Sequence, residues 1–228
     1  MRRLVIAPFI FACNLLFAQS DDVDIIVQNE YVPVGEITPK HTVNVMIGLP
    51  NTSLNKPFAS IMKGIADLNI YYQYSLPNSL VFGGGGRYSH FAINEFRVPE
   101  PMDGVMNSFG AFVKFGHEKF YTTRFAMDFS VKVGYNWHSI KTDLNTLRRG
   151  GNYNFDSGFV EPIIGFILSA TEKASFRLTA SYTIQGFVFS LQQLGTNMNG
   201  GYNMAENQKS SQFFTFGLGY TYYFGQKN

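Results

Sequence analysis

The 228-residue sequence has a single cysteine, Cys13, and a single tryptophan, Trp137. Cys13 lies in the opening stretch MRRLVIAPFIFACNLLFAQS, so a cut after Ala18 removes the only thiol. Disulfides, thiolate metal sites and cysteine nucleophiles are then excluded. Charge is sparse as well: 15% of residues are charged, where a soluble domain carries about a quarter. The net charge of +2 is spread along the chain, so no basic patch points to nucleic acid. Past residue 40 there is no run of eighteen apolar residues and no helical period longer than two turns, which excludes a helical membrane span. Neither a cofactor motif nor a metal-ligand cluster is present, and no cofactor or metal is expected.

What is abundant is aromatic: 23 Phe and 13 Tyr, at a mean hydropathy of only −0.04. The chain begins with Arg2 and Arg3, an apolar stretch from Leu4 to Phe17, and a small residue, Ala18, which reads as a secretory signal peptide over 1–18. IFAC, ending at Cys13, is the alternative of a lipoprotein box. Residues 19–40 follow as an N-terminal segment with an apolar patch at Val23, Ile25, Ile26 and Val27. Its aspartates 21, 22 and 24 read as a solvated tail or a weak calcium site.

From residue 41 eight segments alternate apolar and polar with period two. TVNVMIGL sets Val43, Val45, Ile47 and Leu49 against Asn44, Met46 and Gly48, and RFAMDFSVKVGYNW sets Phe129, Val131, Val133 and Tyr135 against Asp128, Ser130, Lys132 and Asn136. LVFGGGGRYSHF is less regular, because glycines 83–86 either relieve crowding inside or permit a bend. Connections after the even segments are short (PNS, HEKFYTT, TEKA), and those after the odd ones are long: 50–64, 92–107, 138–157 and 187–211. Such alternation predicts an all-β fold, an eight-stranded antiparallel up-and-down transmembrane β-barrel over 41–225, with a tail at 226–228. A bacterial outer membrane has short turns and both termini on the periplasmic side, and long loops outside.

Two aromatic girdles are expected around the apolar belt. Tyr72, Tyr74, Phe115, Phe125, Phe176, Tyr220, Tyr222 and Phe224 fall at the turn end. Tyr88, Phe109, Tyr135, Trp137, Phe187 and Phe214 fall at the loop end. The same parity points eight charges inward. Asp67, Arg87, Lys132 and Glu161 form a layer toward the loops, and Lys114, Arg124, Asp128 and Arg177 one toward the turns. Eight strands enclose a space that side chains just fill, so these charges are expected to pair and close the lumen.

The closing FGLGYTYYF, the FAQ cut, FVEP at 159–162 and the GGGGRYS strand resemble the small eight-stranded outer-membrane barrels, the class of OmpX and the OmpA membrane domain. Within that class they look most like barrels of Bacteroidota, including the PorT-like group. One departure is that Gly225, Gln226, Lys227 and Asn228 follow the last aromatic, where such strands usually stop on it. The resemblance implies a Gram-negative cell envelope, contact with outer-membrane lipid and lipopolysaccharide, and insertion by the barrel-assembly machinery. The role expected is non-enzymatic, exerted through the extracellular loops or as an accessory subunit of an envelope or secretion complex.

A lipid A-modifying enzyme and a soluble secreted β protein are the alternatives. The enzyme would draw on Trp137-His138-Ser139 or Ser89-His90, with Asp143 or Glu95 as acid. Adjacent strand residues point to opposite faces, so neither neighbouring His–Ser pair meets directly. Arg148 and Arg149, in TLRRGGNYN, read as contacts for lipopolysaccharide phosphates or as a solvated loop tip.

Overall fold

The computed structural model describes residues 40–53, 55–122, 124–171, 173–196 and 209–224. The expected signal peptide with Cys13, the segment 19–39 and the tail after Phe224 lie outside the described residues. Eight antiparallel strands pair in sequence order and close into a barrel. They are β1 (Lys40–Ser53), β2 (Met62–Ser75), β3 (Leu80–Ile93), β4 (Gly104–Phe120), β5 (Phe125–Thr142), β6 (Tyr153–Thr171), β7 (Ala174–Gln185) and β8 (Gln212–Phe224). Closure runs along β1 and β8, from His41 opposite Phe224 to Ser53 opposite Gln212.

Period-two alternation in the sequence becomes the two faces of this sheet. On β6, Phe159, Glu161, Ile163 and Ile167 are buried, while Val160, Ile164, Phe166 and Leu168 between them are exposed. Through the middle of the barrel the exposed set is apolar, including Ile47, Leu49, Ile70, Val113, Phe129, Leu178 and Leu218. A sheet with an apolar outside and charges inside inverts the soluble pattern and suits hydrocarbon.

Strands extend further than the sequence suggests. Three of the connections at the loop end shrink, to 54–61, 94–103 and 143–152, because alternation continues through stretches whose outward residues are polar, while the fourth, 186–211, keeps its expected length to within one residue. Past Trp137, for example, His138, Ile140 and Thr142 stay buried while Lys141 is exposed. At the opposite end, β4 runs through Phe120, so HEKF belongs to a strand and the turn is reduced to 121–124.

Glycines 83–86 continue β3 without interruption, and none has a positive φ. A Cβ on Gly85 would collide with the Ile70 carbonyl and with Tyr71, whereas on outward Gly84 its nearest neighbour would be 3.4 Å away. The run therefore makes room inside the barrel for Tyr71, which packs edge-on against Phe112 with ring centroids 5.9 Å apart.

The long connections fold inward over the barrel mouth. Helix α1 (Lys56–Ile61) starts at Asn55, whose side chain accepts from the Phe58 amide at 2.9 Å, and buries Phe58 and Ile61. Helix α2 (Asp143–Arg149) is capped by Thr142 and ends at Gly150, φ 72°. A turn at Leu191–Leu194 buries both leucines. With Phe91, Met102, Met106, Ile140, Phe187, Phe189 and Phe213 these residues form one apolar cluster. Phe187 is thus no girdle residue: it keeps the inward parity of Gln185 beyond the end of β7 and is 8% exposed.

Neighbouring glycines should respond differently to the same change. Gly85→Ala is expected to cost about 1–3 kcal/mol through overpacking, and Gly84→Ala to stay within about 0.5 kcal/mol. Urea titration of the refolded barrel in detergent measures both.

Candidate functional site

Two charged layers and an apolar layer fill the lumen. Toward the loops, Arg87 on β3 lies 2.5 Å from both Asp67 on β2 and Glu161 on β6. Glu161 also takes Lys132 of β5 at 3.1 Å. Ser89 donates to Asp67 at 2.7 Å, Thr183 to Glu161 at 2.7 Å, and Lys132 to Asn69 at 2.9 Å. All four charged side chains are 4% exposed or less. Desolvation at that depth is tolerable only when every charge has a partner.

Toward the turns, Asp128 receives Lys114 at 2.7 Å and Arg177 at 3.0 Å. Arg177 reaches on to Glu118 at 2.7 Å, and Gln73 joins the set by donating to Glu118 at 2.9 Å while accepting from Lys114 at 2.6 Å. Arg124 is not in this layer. It sits exposed in the turn before β5, where strand parity has lapsed, and Glu118 holds the place expected of it. The signal for Glu118 was present in the sequence, two and four residues beyond inward Gly116 and Lys114, but HEKF reads as a turn. The exchange matters electrically: two cations now face two carboxylates in each layer.

Met46, Tyr71, Phe112 and Phe159 form a second apolar cluster in the lumen. Its rings face the cations: Lys132 is 4.8 Å from the Phe112 centroid, Lys114 5.2 Å from Tyr71 and Arg87 5.3 Å from Phe159. A cavity of about 10 Å³ beside Lys132 and Glu161 has room for roughly one water molecule. Side chains of the described residues thus pack closely at this level of the lumen.

The residues weighed for catalysis do not converge. His138 points inward between the Ser108 hydroxyl at 2.6 Å and the Ser157 hydroxyl at 2.9 Å. Its ring stacks on Phe155 at 4.7 Å and packs against Phe187 at 4.8 Å, beneath the apolar cluster of the loops. Both ring nitrogens are occupied by hydroxyls, and no carboxylate orients the ring. Ser139 bonds Asn152 instead, Ser89 serves Asp67, and His90 lies 2.7 Å from Asn107. Asp143 and Glu95 are exposed on the loops.

Arg148 and Arg149 tie the loops together. Arg148 donates to the Gly195 carbonyl at 2.6 Å and to Glu100 at 3.1 Å, and Arg149 to the Gln192 carbonyl at 3.0 Å. Asn145 and Thr142 add bonds at 2.9 Å to the carbonyls of Gln193 and Leu194. Helix α2 and the 191–195 turn thereby form one cap over the barrel.

Apart from Phe187, the aromatics expected at the girdles lie on the outer face. Tyr72, Phe115, Phe176, Tyr220, Tyr222 and Phe224 at the turn end, and Tyr135 and Trp137 at the loop end, are exposed. Tyr74 and Phe125 are half-buried. Neighbours pair edge-on, as Tyr222 with Phe224 at 4.8 Å and Tyr135 with Trp137 at 5.8 Å.

No protein-family model matches the sequence, and no curated protein matches it. Among solved structures the chain is similar to Neisserial surface protein A, at 15% identity and a TM-score of 0.51, covering 82% of this chain and 97% of that one. It is also similar to Ail of Yersinia pestis, at 9% identity and a TM-score of 0.47, covering 82% and 100%. OprG from Pseudomonas aeruginosa aligns at 10% identity and a TM-score of 0.46, covering 82% and 96%.

Two substitutions separate a buried partner from an exposed charge. Glu118→Gln, which leaves Arg177 with Asp128 alone, is expected to cost about 3 kcal/mol. Arg124→Gln should change stability by less than about 0.5 kcal/mol. Chemical denaturation of the two variants in one lipid system makes the comparison.

Proposed function

Given that the chain has the fold of the small bacterial outer-membrane barrels, we propose that it is a non-enzymatic outer-membrane protein whose lumen is closed and whose working surface is the loop end. Termini and turns face the periplasm in this reading, and the capped loops face outward. The observation that supports it is the lumen itself, where among the described residues neutral ion-pair layers, an aromatic cluster and a cap of buried Phe and Leu occupy the interior. A protein built this way acts by what its outer face binds, or as an accessory subunit of an envelope or secretion complex. The closing aromatic strand, FVEP and GGGGRYS favour a place among the PorT-like barrels of Bacteroidota, with export by the N-terminal signal peptide and insertion by the barrel-assembly machinery.

In planar bilayers the purified wild-type barrel is expected to give no steady conductance; a large, poorly selective current sinks the closed-lumen reading. On intact cells, protease should cut within 94–103, 143–152 or 186–211, and cleavage confined to broken cells inverts the topology. Lipid A analysed by mass spectrometry with and without the gene should keep the same acyl chains.

A further inference from the structure

Pro162 faces outward on β6 without a backbone N–H, and the β6–β7 ladder skips it, passing from Val160–Ile184 to Ile163–Ser181. On the outer wall at this point lies an apolar furrow of about 520 Å³. Strand register shows how it is made. Phe115, Val131 and Pro162 stand in one row across the sheet, continued on β7 and β8 by the pair Tyr182 and Phe214. Two residues nearer the turns, Phe129, Ile164 and Ala180 form the next row. Between the rows run Gly116, Ser130, Ile163 and Ser181, whose side chains belong to the inner face or are absent. Ala180 is too small to bridge the rows, so a trough remains at this point of the wall.

A second, independent feature lies at the turn end of the same wall. Among the described residues the exposed charges there are all cations: Lys119, Arg124 and Lys173. Lys119 shares the outward parity of Phe115 on β4, four residues below it and so about 13 Å along the strand. At the loop end the exposed charges of the described residues are of both signs, Glu95, Asp103, Asp143 and Asp156 standing among Lys56, Lys63, Arg97, Lys141, Arg148, Arg149 and Lys209.

We propose that this wall holds one anionic glycerophospholipid of the turn-side leaflet. Its phosphate lies at Lys119 and Arg124, and one acyl chain lies along the furrow past Pro162 and Ala180. The proposal rests on the membrane reading given above. The furrow supplies the apolar contact, the cations supply attraction for a negative headgroup, and their separation along β4 leaves space for the glycerol.

Native mass spectrometry tests this on the full-length barrel refolded with equal dioleoylphosphatidylglycerol and dioleoylphosphatidylcholine. The wild type should retain one phosphatidylglycerol, at least fivefold over phosphatidylcholine. Ala180→Phe, which fills the furrow from a lipid-facing position, should cut retention of both lipids at least fivefold; Val131→Phe is the second filling variant. The double change Lys119→Gln with Arg124→Gln should remove the preference for phosphatidylglycerol while phosphatidylcholine stays as before. Equal retention of the two lipids by the wild type, or undiminished retention by the filled variants, overturns the proposal while the membrane reading stands. A wild-type barrel that fails to insert into vesicles overturns both.

Discussion

Hydrocarbon offers no hydrogen bonds, so every backbone N–H and C=O that enters it must be satisfied within the protein. The pairing of β1 with β8 meets that demand by leaving the sheet without an edge. Closure then dictates the rest. Each strand must present one face to lipid and one to the lumen, which is why Ile47 and Leu49 flank Gly48, and why Val131 and Val133 flank Lys132. With only eight strands the lumen is no wider than its own side chains. Any charge placed there is cut off from bulk water and needs a partner of opposite sign at hydrogen-bond distance.

The partners also hold the strands in register. A one-residue slip of β4 would turn Lys114 and Glu118 toward lipid and bring Phe115 and His117 inside, leaving Arg177 and Asp128 with only each other. Replacing these networks by apolar residues of equal volume need not weaken the barrel, but it would remove that discrimination. The aromatic layer works with them: Tyr71 and Phe112 occupy the space between the charged sets and offer their ring faces to Lys114 and Lys132. Glycines on β3 supply the room for this arrangement.

The barrel was legible in the sequence because its two signals are local. Parity identifies the faces, and the lengths of connections identify the ends. Asp67, Arg87, Lys132 and Glu161 follow from parity alone, since each lies deep in a strand where alternation cannot be mistaken. Parity failed only where a strand ends. Glu118 was hidden because HEKF looks like a turn, and Arg124 was placed inside because its number matches that of Asp128, although the strand begins after it. The cap was not legible at all. Phe58, Met102, Phe189 and Leu194 are scattered over polar connections, and nothing in their spacing announces that they meet; that depends on where closure brings the loops. Arg148 and Arg149, read as contacts for lipopolysaccharide phosphates or as a solvated loop tip, are exposed but reach back to the carbonyls of Gly195 and Gln192 for the same reason.

The pairs differ in how far apart their strands lie. Asp67 with Arg87, Lys114 with Asp128 and Lys132 with Glu161 each sit within one hairpin or one adjacent pair of strands. Arg177 has no such neighbour: its carboxylates are on β5 and β4, across the lumen. Within its own hairpin the guanidinium finds only a hydroxyl, Thr221 of β8 at 2.6 Å. Among the described residues Arg177 is thus the basic side chain of the lumen whose carboxylates all lie beyond the adjacent strands, and it ties the end of the chain to its middle.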